Sequence, residues 1–258
     1  MADLTFGESL NQLSDASYHP WVWAIFSHIK MIALSRVSRE WPGLSHLFRA
    51  ILPKDAKEKQ KQHLRFSSDL LDKRMARKPE QPDIWSFVTR NAGQEEALHP
   101  TELYSNGALF MLAGTETTAT LLSGLTYMLL KDPDRMKRLS DEVRSSFPSD
   151  GNMGMFGLSR LEYLGACIEE GLRLYPPVAV GPPRTVPQGG ATVCGRWIPG
   201  GTIVQAPILA YHEMRLIMSN ILLNFDLELC DPATDWMDQK VYTLWDKNPL
   251  MVKLRSTR

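Results

Sequence analysis

One apolar run dominates the pattern of hydrophobic and polar positions. Between Gly107 and Leu130 the chain carries a single charge, Glu116. The segment Pro100–Glu102 precedes the run with a proline suited to a first helical turn and an acid that complements the helix dipole, and Lys131–Pro133 stops it. The pattern therefore predicts one helix from Pro100 to Leu130, about 46 Å long at 1.5 Å per residue.

This run is also long enough to span a bilayer. Glu116 lies near its middle among several threonines, and a carboxylate at that depth costs at least ~2.5 kcal/mol. We therefore interpret the run as a buried central helix of an α-rich domain. The segment Met1–Glu8 has neither a basic nor an apolar stretch, so we expect no signal peptide and no N-terminal membrane anchor.

The remaining apolar pattern before Pro176 also has helical spacing. Ser149–Gly157 interrupts it as a glycine-containing loop, Met75–Gln81 is typical of a linker, and the mixed charges of Lys54–Lys61 indicate a solvated helix face. An apolar stripe from Trp21 to Val37 predicts a helix that ends at Pro42–Gly43. The pattern also predicts an amphipathic helix over Asp134–Phe147 and a helix over Leu158–Tyr175.

Strand formers alternate with turn residues after Pro176, which predicts a hairpin over Thr192–Val204. We expect a mainly α fold with a small β region, in one partial domain over residues 1–258. Its parts are a mostly helical segment over 1–175, a β hairpin region over 176–212, a helix over 213–224 and C-terminal strands over 225–258. Within these parts, the strand-like segment Ile203–Tyr211 leads directly into a helix from Glu213 to about Leu223. The predicted closing strands are Phe225–Leu229 and Lys240–Leu254.

Charge and cysteine content narrow the functional classes. The chain has 29 basic and 29 acidic residues, which gives no electrostatic footprint for a nucleic-acid partner. The three cysteines, Cys167, Cys194 and Cys230, lack metal-type spacing, and their odd number argues against a disulfide framework. We predict no metal site built by protein side chains alone.

The segment Ala113–Thr118, AGTETT, conflicts with its helical surroundings. A glycine in a helix interior costs about 1 kcal/mol relative to alanine, and threonine hydroxyls compete for backbone carbonyls. Such a local conflict points to a functional site. Helix packing through small residues is the alternative.

A second motif, Glu170–Pro177 or EGLRLYPP, ends another predicted helix. Glu170 and Arg173 lie three residues apart on one helix face, within reach of an ion pair. The bare E-x-x-R pattern is common by chance, but the helix stop at a fixed offset makes the longer form more specific. Arg184 follows eleven residues after Arg173, and an exposed loop charge is its alternative interpretation.

Together the two motifs resemble the cytochrome P450 family of haem-thiolate monooxygenases. Further segments are similar to members from filamentous fungi, in the secondary-metabolism branch of the isotrichodermin C-15 hydroxylases. These segments are Asp3–Glu8, Tyr18–Trp21, Gly189–Thr202, Asn224–Leu229, Asp238–Trp245 and Pro249–Leu254.

The resemblance implies roles for individual residues. Thr117 would hydrogen-bond bound oxygen, Glu116 would deliver protons, Ala113 and Gly114 would let the haem approach the helix, and Arg184 would pair with a haem propionate. The implied partners are an apolar small-molecule substrate, a terpenoid or polyketide, and an NADPH-dependent reductase. The implied location is cytoplasmic or peripheral to the endoplasmic reticulum.

The cysteine loop that holds the iron in this family, similar to F-x-x-G-x-R-x-C-x-G, is absent from the chain. Compared with the family, Met1 matches the middle of the domain, and a second gap falls between His212 and Glu213. There the family carries the arginine loop that locks the structural pair Glu170–Arg173, and then the cysteine loop. We expect Arg173 to be a buried charge that is left partly unpaired, which costs several kcal/mol.

None of the three cysteines stands in a loop suited to a thiolate ligand. We therefore expect a truncated cytochrome P450-like chain that binds no haem through cysteine and is inactive as a monooxygenase. Two alternatives stay open. One is an active monooxygenase whose recorded sequence is incomplete at the junction His212–Glu213. The other is a non-catalytic remnant that binds a metabolite or a protein.

Overall fold

A computed structural model describes residues 5–7, 43, 54–77, 83–89, 98–147, 153–179, 183–205 and 211–257. Helices dominate this described part and short antiparallel strand pairs complete it, so the predicted mainly α fold with a small β region is confirmed. The chain divides into two units, Met1–Thr117 and Thr118–Arg258, which are described separately. The apolar stripe predicted between Trp21 and Val37 lies outside the described residues.

Two helices and the first part of a third are described in the N-terminal unit. Helix α1 spans Lys54–Met75 and includes the charged face predicted for Lys54–Lys61. Helix α2 spans Ile84–Val88 and begins at Asp83, whose carboxylate accepts a hydrogen bond from the Ser86 backbone N–H at 2.9 Å. The side chain of Asp83 is an N-cap of the usual kind, because it satisfies a first-turn N–H that has no partner within the helix.

Helix α3 spans Pro100–Leu130, as the sequence predicted. At its start the backbone N–H of His99 donates to the Glu102 carboxylate at 2.8 Å, and at its end Pro133 begins the next helix. Among the residues that the structure describes, no helix combines the length and the apolarity needed to cross a membrane.

Among the described residues of the C-terminal unit, four more helices occur: α4 Pro133–Ser146, α5 Met155–Ser159, α6 Glu162–Leu174 and α7 Tyr211–Asn224. They bury one hydrophobic core together with the last turns of α3. Its fully buried members from these elements are Leu121, Leu139, Val143, Leu164, Ile168 and Met218. This core fixes α6, which carries the second sequence motif.

Two predicted helix boundaries are wrong. The helix expected over Leu158–Tyr175 is two helices, because the chain turns at Leu161 before α6 begins, and the loop expected to reach Gly157 ends at Gly154. Helix α7 begins at Tyr211 instead of Glu213, and the preceding strand ends at Gln205. The junction between residues 212 and 213 therefore lies within the first turn of α7.

In the described part of the C-terminal unit, eight short strands form antiparallel pairs. The hairpin predicted over Thr192–Val204 is shorter: β2 and β3 form it within residues 191–198, and the strand at its predicted end, β4, pairs with β1 instead. Its two-residue turn places Cys194 and Gly195 at φ +49° and +74°, the left-handed conformations that such turns need. The predicted strand over Lys240–Leu254 is three separate strands. The strands are β1 Pro183–Thr185, β2 Ala191–Val193, β3 Arg196–Ile198, β4 Ile203–Gln205, β5 Phe225–Leu229, β6 Lys240–Val241, β7 Trp245–Asp246 and β8 Val252–Ser256, paired as β1–β4, β2–β3, β5–β8 and β6–β7.

Tyr175, at the end of α6, is fully buried and joins this helix to the C-terminal segment. Its ring stacks on Trp245 with 4.4 Å between centroids, and its hydroxyl donates to the Gln239 side chain at 2.5 Å. The Trp245 indole N–H donates to the Pro176 carbonyl at 2.7 Å. The L-Y-P-P part of the second motif therefore anchors the segment that contains β6 and β7.

Candidate functional site

The first motif forms one turn of α3 in the N-terminal unit. The Thr117 hydroxyl donates to the Ala113 carbonyl one turn earlier, with 2.6 Å between the oxygen atoms. Ala113 is exposed, Gly114 is half-buried, and Glu116 is buried with 4% of its surface exposed. The helix thus separates the predicted proton-delivery acid, which is buried, from the predicted haem-approach residue Ala113, which faces solvent.

The next turn of α3 belongs to the C-terminal unit and is held by two polar contacts there. The Thr118 hydroxyl donates to the Glu213 carboxylate at 3.1 Å, which ties α3 to the first turn of α7. The Lys247 ammonium donates to the Thr120 hydroxyl at 2.8 Å, and Thr120 is fully buried. No local pattern indicated either contact, because Thr118 and Glu213 are 95 residues apart and Thr120 and Lys247 are 127 residues apart.

Glu170 and Arg173 form the predicted ion pair on α6. The Arg173 Nε and Nη2 atoms each donate to one Glu170 oxygen at 2.7 Å, so the pair is bidentate. The hydrogen bond from Arg173 lowers the pKa of Glu170. The Arg173 side chain is 66% exposed and the Glu170 side chain is 55% exposed. The expectation of a buried, partly unpaired charge on Arg173 is therefore wrong. Water compensates the charge because nothing in the described part covers this face of α6.

Arg184 lies in β1 and is exposed. Its Nη1 atom donates to the carbonyl of the adjacent Pro183 at 3.0 Å. The structure therefore places this residue as an outward-facing strand arginine. The propionate role that the resemblance implies stays a prediction.

The three cysteines lie in different elements: Cys167 is inside α6, Cys194 is in the hairpin turn and Cys230 directly follows β5. Burial, followed by the nearby Glu142 carboxylate, raises the pKa of the Cys167 thiol. A raised pKa disfavours the thiolate form that binds metals. The Cys230 backbone N–H donates to the Met251 carbonyl at 3.0 Å, directly beyond the end of the β5–β8 ladder.

These cysteines do not fit a haem iron. A thiolate axial ligand needs a turn whose backbone N–H groups point at the sulfur, and the protein sets its electronics through those bonds. Cys167 is enclosed in a helix whose N–H groups are already paired, Cys194 lies in a two-residue hairpin turn, and Cys230 ends a strand. In the ranges that the structure describes, no group of three metal-ligating side chains occurs either.

A sequence model of the family "Cytochrome P450" matches residues 1–213 of the chain. The chain belongs to the cytochrome P450 family. The monooxygenase efuB of Hormonema carpetanum is 40% identical over 307 residues, which cover 99% of this chain and 61% of that protein. The monooxygenase lcsI of Purpureocillium lilacinum is 37% identical and matches 100% of this chain and 60% of its own length. A cytochrome P450 monooxygenase of Gibberella moniliformis is 37% identical over 100% of this chain and 65% of its own.

The predicted resemblance to fungal cytochrome P450 monooxygenases is thus confirmed. The chain spans about 60% of the length of these relatives. The alignment with the Hormonema protein also runs over 307 positions, whereas the chain has 258 residues, so at least 49 positions of the alignment face a gap in this chain.

Proposed function

We propose that the chain of 258 residues is a non-catalytic member of the cytochrome P450 family that does not hold haem through a cysteine. The observation that carries this proposal is the placement of its three cysteines in a helix, a hairpin turn and a strand end. Each place lacks the loop of inward-pointing N–H groups that a thiolate ligand requires.

The exposed Glu170–Arg173 pair supports the same proposal. In the part of the chain that the structure describes, Arg173 pairs with Glu170 and both side chains are more than half exposed, whereas the resemblance implies an arginine loop that would lock the pair. The parent activity that the family implies is oxygen insertion into an apolar metabolite, with electrons from an NADPH-dependent reductase. We do not extend that activity to this chain. The cytoplasmic or endoplasmic-reticulum location stays a prediction.

A carbon monoxide difference spectrum tests this proposal. The purified chain is incubated with haem, reduced and exposed to carbon monoxide, and the spectrum is compared with that of a matched variant, Cys167→Ser/Cys194→Ser/Cys230→Ser. We expect identical spectra without the red-shifted Soret band of a thiolate-ligated complex. If the chain shows that band and the triple variant loses it, one cysteine is a ligand and the proposal is wrong.

One observation favours a second candidate, an active monooxygenase of which this sequence is an incomplete copy. The family match ends at residue 213, next to the expected junction at His212–Glu213. The relatives match 98 to 100% of the chain, yet at least 49 positions of each alignment have no counterpart in this chain. A segment missing at this junction accounts for both. In such a protein Glu116 and Thr117 would be the catalytic residues, Ala113, Gly114 and Arg184 would contact the cofactor, and Glu170 and Arg173 would be structural, as the resemblance implies.

Sequencing genomic DNA and the full transcript across codons 212 and 213 separates the two candidates. An intervening reading frame that encodes an arginine loop and an F-x-x-G-x-R-x-C-x-G segment would support the second candidate. Contiguous codons in genome and transcript would leave the non-catalytic chain as the protein that the cell makes.

A further inference from the structure

A cleft of about 350 Å³ lies in the C-terminal unit between α3 and α6. Its walls are apolar and come from Leu125, Met128 and Leu129 of α3 and from Gly171 and Leu174 of α6. Gly171 allows the two helices to approach closely, since a Cβ atom there would lie 3.3 Å from the Leu121 side chain. The volume is in the range of small-molecule sites, which start at about 300 Å³.

Two neutral polar side chains line this α3–α6 cleft between its charged groups, and the Arg138 guanidinium lies over the ring of one of them, Tyr163, with 4.1 Å to the ring centroid. These two side chains are Tyr163 and Cys167, and burial raises the pKa of both. At neutral pH both side chains are therefore protonated. The cleft offers an apolar space to the body of a ligand.

The mouth of the cleft carries charge of both signs. The Glu170 carboxylate is there, but both of its oxygens accept hydrogen bonds from Arg173. The Arg135 guanidinium, from the first turn of α4, is also there and uses Nη1 to contact Asp132 at 3.0 Å. A guanidinium has five N–H donors, so Arg135 keeps donors for another acceptor. Its side chain is 72% exposed, so a ligand reaches it without displacing protein atoms.

We propose that the α3–α6 cleft binds an amphipathic carboxylate with an apolar body of one or two rings. The body lies against the apolar wall formed by Met128, Leu129 and Leu174, and the carboxylate accepts hydrogen bonds from Arg135. Arginine suits this role because its planar fork matches the two oxygens of a carboxylate. The proposal goes beyond the proposed function and holds whether or not the chain binds haem.

Cys167 supplies a reporter inside the cleft. In the full chain with Cys194→Ser and Cys230→Ser, both at exposed positions, Cys167 is the one remaining thiol, and mass spectrometry follows its alkylation by iodoacetamide. The probe is 2-naphthoate, and 2-naphthamide is the neutral comparator of the same shape. We expect 2-naphthoate to slow alkylation at least about fivefold at saturation, and 2-naphthamide to require about tenfold higher concentration, since the neutral amide cannot form the charge-assisted hydrogen bonds that Arg135 donates to a carboxylate.

Two variants test the assignment of the carboxylate to Arg135. Arg135→Gln should raise the protecting concentration of 2-naphthoate about tenfold, whereas the control Lys137→Gln, on the same helix but outside the cleft, should leave it unchanged. Ala166→Trp, at the exposed rim, should abolish protection by filling the mouth. Circular dichroism confirms that each variant is folded.

Absence of protection by 2-naphthoate would overturn the proposal. If 2-naphthoate and 2-naphthamide protect Cys167 at the same concentration, the cleft does not recognise the carboxylate. If 2-naphthoate protects Arg135→Gln as well as the parent chain, Arg135 does not bind the carboxylate. No arm of this experiment uses haem, so its failure leaves the proposed function standing, and a positive carbon monoxide spectrum leaves this inference standing.

Discussion

Glu142 caps the helix that carries the second motif: one of its carboxylate oxygens accepts a hydrogen bond from the Tyr163 backbone N–H at 2.8 Å. Its other oxygen accepts from the Leu164 N–H, also at 2.8 Å. The residue at the usual capping position of α6 is Leu161, whose side chain has no hydrogen-bond acceptor. A carboxylate from the neighbouring α4 thus satisfies two first-turn N–H groups and interacts favourably with the positive end of the helix dipole.

Helix α4 also contacts the end of α7. Two residues after Glu142, the Arg144 Nε atom donates to the Leu222 carbonyl at 2.9 Å and its Nη2 donates to the Phe225 carbonyl at 3.2 Å. The last carbonyls of a helix lack partners within it. One short stretch of α4 therefore joins the start of α6 to the end of α7.

Replacing Glu142 with alanine should destabilise the chain. Two N–H groups of α6 would lose their acceptors, so we expect the free energy of unfolding to fall by about 1–2 kcal/mol, the range measured for lost caps. Urea titration followed by circular dichroism measures the change. The control Glu169→Ala removes an exposed carboxylate from α6 itself and should change the free energy by less than about 0.5 kcal/mol. Equal effects of the two variants would contradict the capping role.

The Arg74–Asp83 ion pair should make stability depend on pH. Both side chains are about nine-tenths buried or more, and the hydrogen bonds from Arg74 and Ser86 hold the pKa of Asp83 well below its usual range. Because folding lowers this pKa, the stabilisation is present above the ordinary value of about 3.9 and is lost as the pH falls below it. We expect Asp83→Asn to cost about 3 kcal/mol at pH 7, because it leaves Arg74 buried without its counter-ion.

Urea titrations measure the free energy of unfolding of the parent chain and of Asp83→Asn. The difference between the two values should shrink as the pH is lowered below about 4. Asp69→Asn, an exposed position on the same helix as Arg74, is the matched control and should show no such pH dependence of the difference. A difference for Asp83→Asn that stays constant with pH would rule out the ion pair as its cause.

Arg173→Gln should leave the stability of this chain unchanged. Arg173 and Glu170 are more than half exposed, and exposed ion pairs contribute little because water and salt screen them. We expect the urea midpoint to match that of the parent chain at both low and high salt. A clear loss of stability would show that the pair is buried in solution, as the resemblance implies for the family.

Gly124→Ala should destabilise the chain although alanine favours helices. A Cβ atom at this position would lie 2.3 Å from the Tyr175 ring, which is fully buried and stacked on Trp245. Helix propensity alone predicts a gain of about 1 kcal/mol, whereas overpacking costs about 1–3 kcal/mol, so the clash should dominate. Thermal unfolding measures the result. Gly189→Ala, where a Cβ atom meets nothing within 4 Å, should leave the melting temperature unchanged.

Local signals were sufficient for the long helix and the hairpin. The start of α3 at Pro100 and its end before Pro133 follow from proline chemistry and from the continuous apolar run between them. The β2–β3 hairpin follows from strand formers around a turn that ends in Gly195. The family resemblance was equally accessible, because it depends on short motifs and on segments along the whole chain.

Other features depended on residues that are distant in sequence. The break between α5 and α6 was missed because α6 takes its cap from Glu142, which lies 21 residues before Tyr163, so no N-cap residue appears at Leu161. The exposure of Arg173 was missed because the E-x-x-R spacing determines that two side chains meet and is silent on what covers them.

The sequence by itself determined that this is a cytochrome P450-family chain without the family's cysteine loop, since motifs and the absence of a motif are read directly from residue order. It also determined where α3 begins and ends. Only the tertiary structure decided that Glu116 is buried while Ala113 faces solvent, that Lys247 contacts Thr120, and that a cleft opens beside Arg135. Burial and long-range contacts arise from the packing of whole elements, and local propensity carries no information about which side of a helix another element will cover.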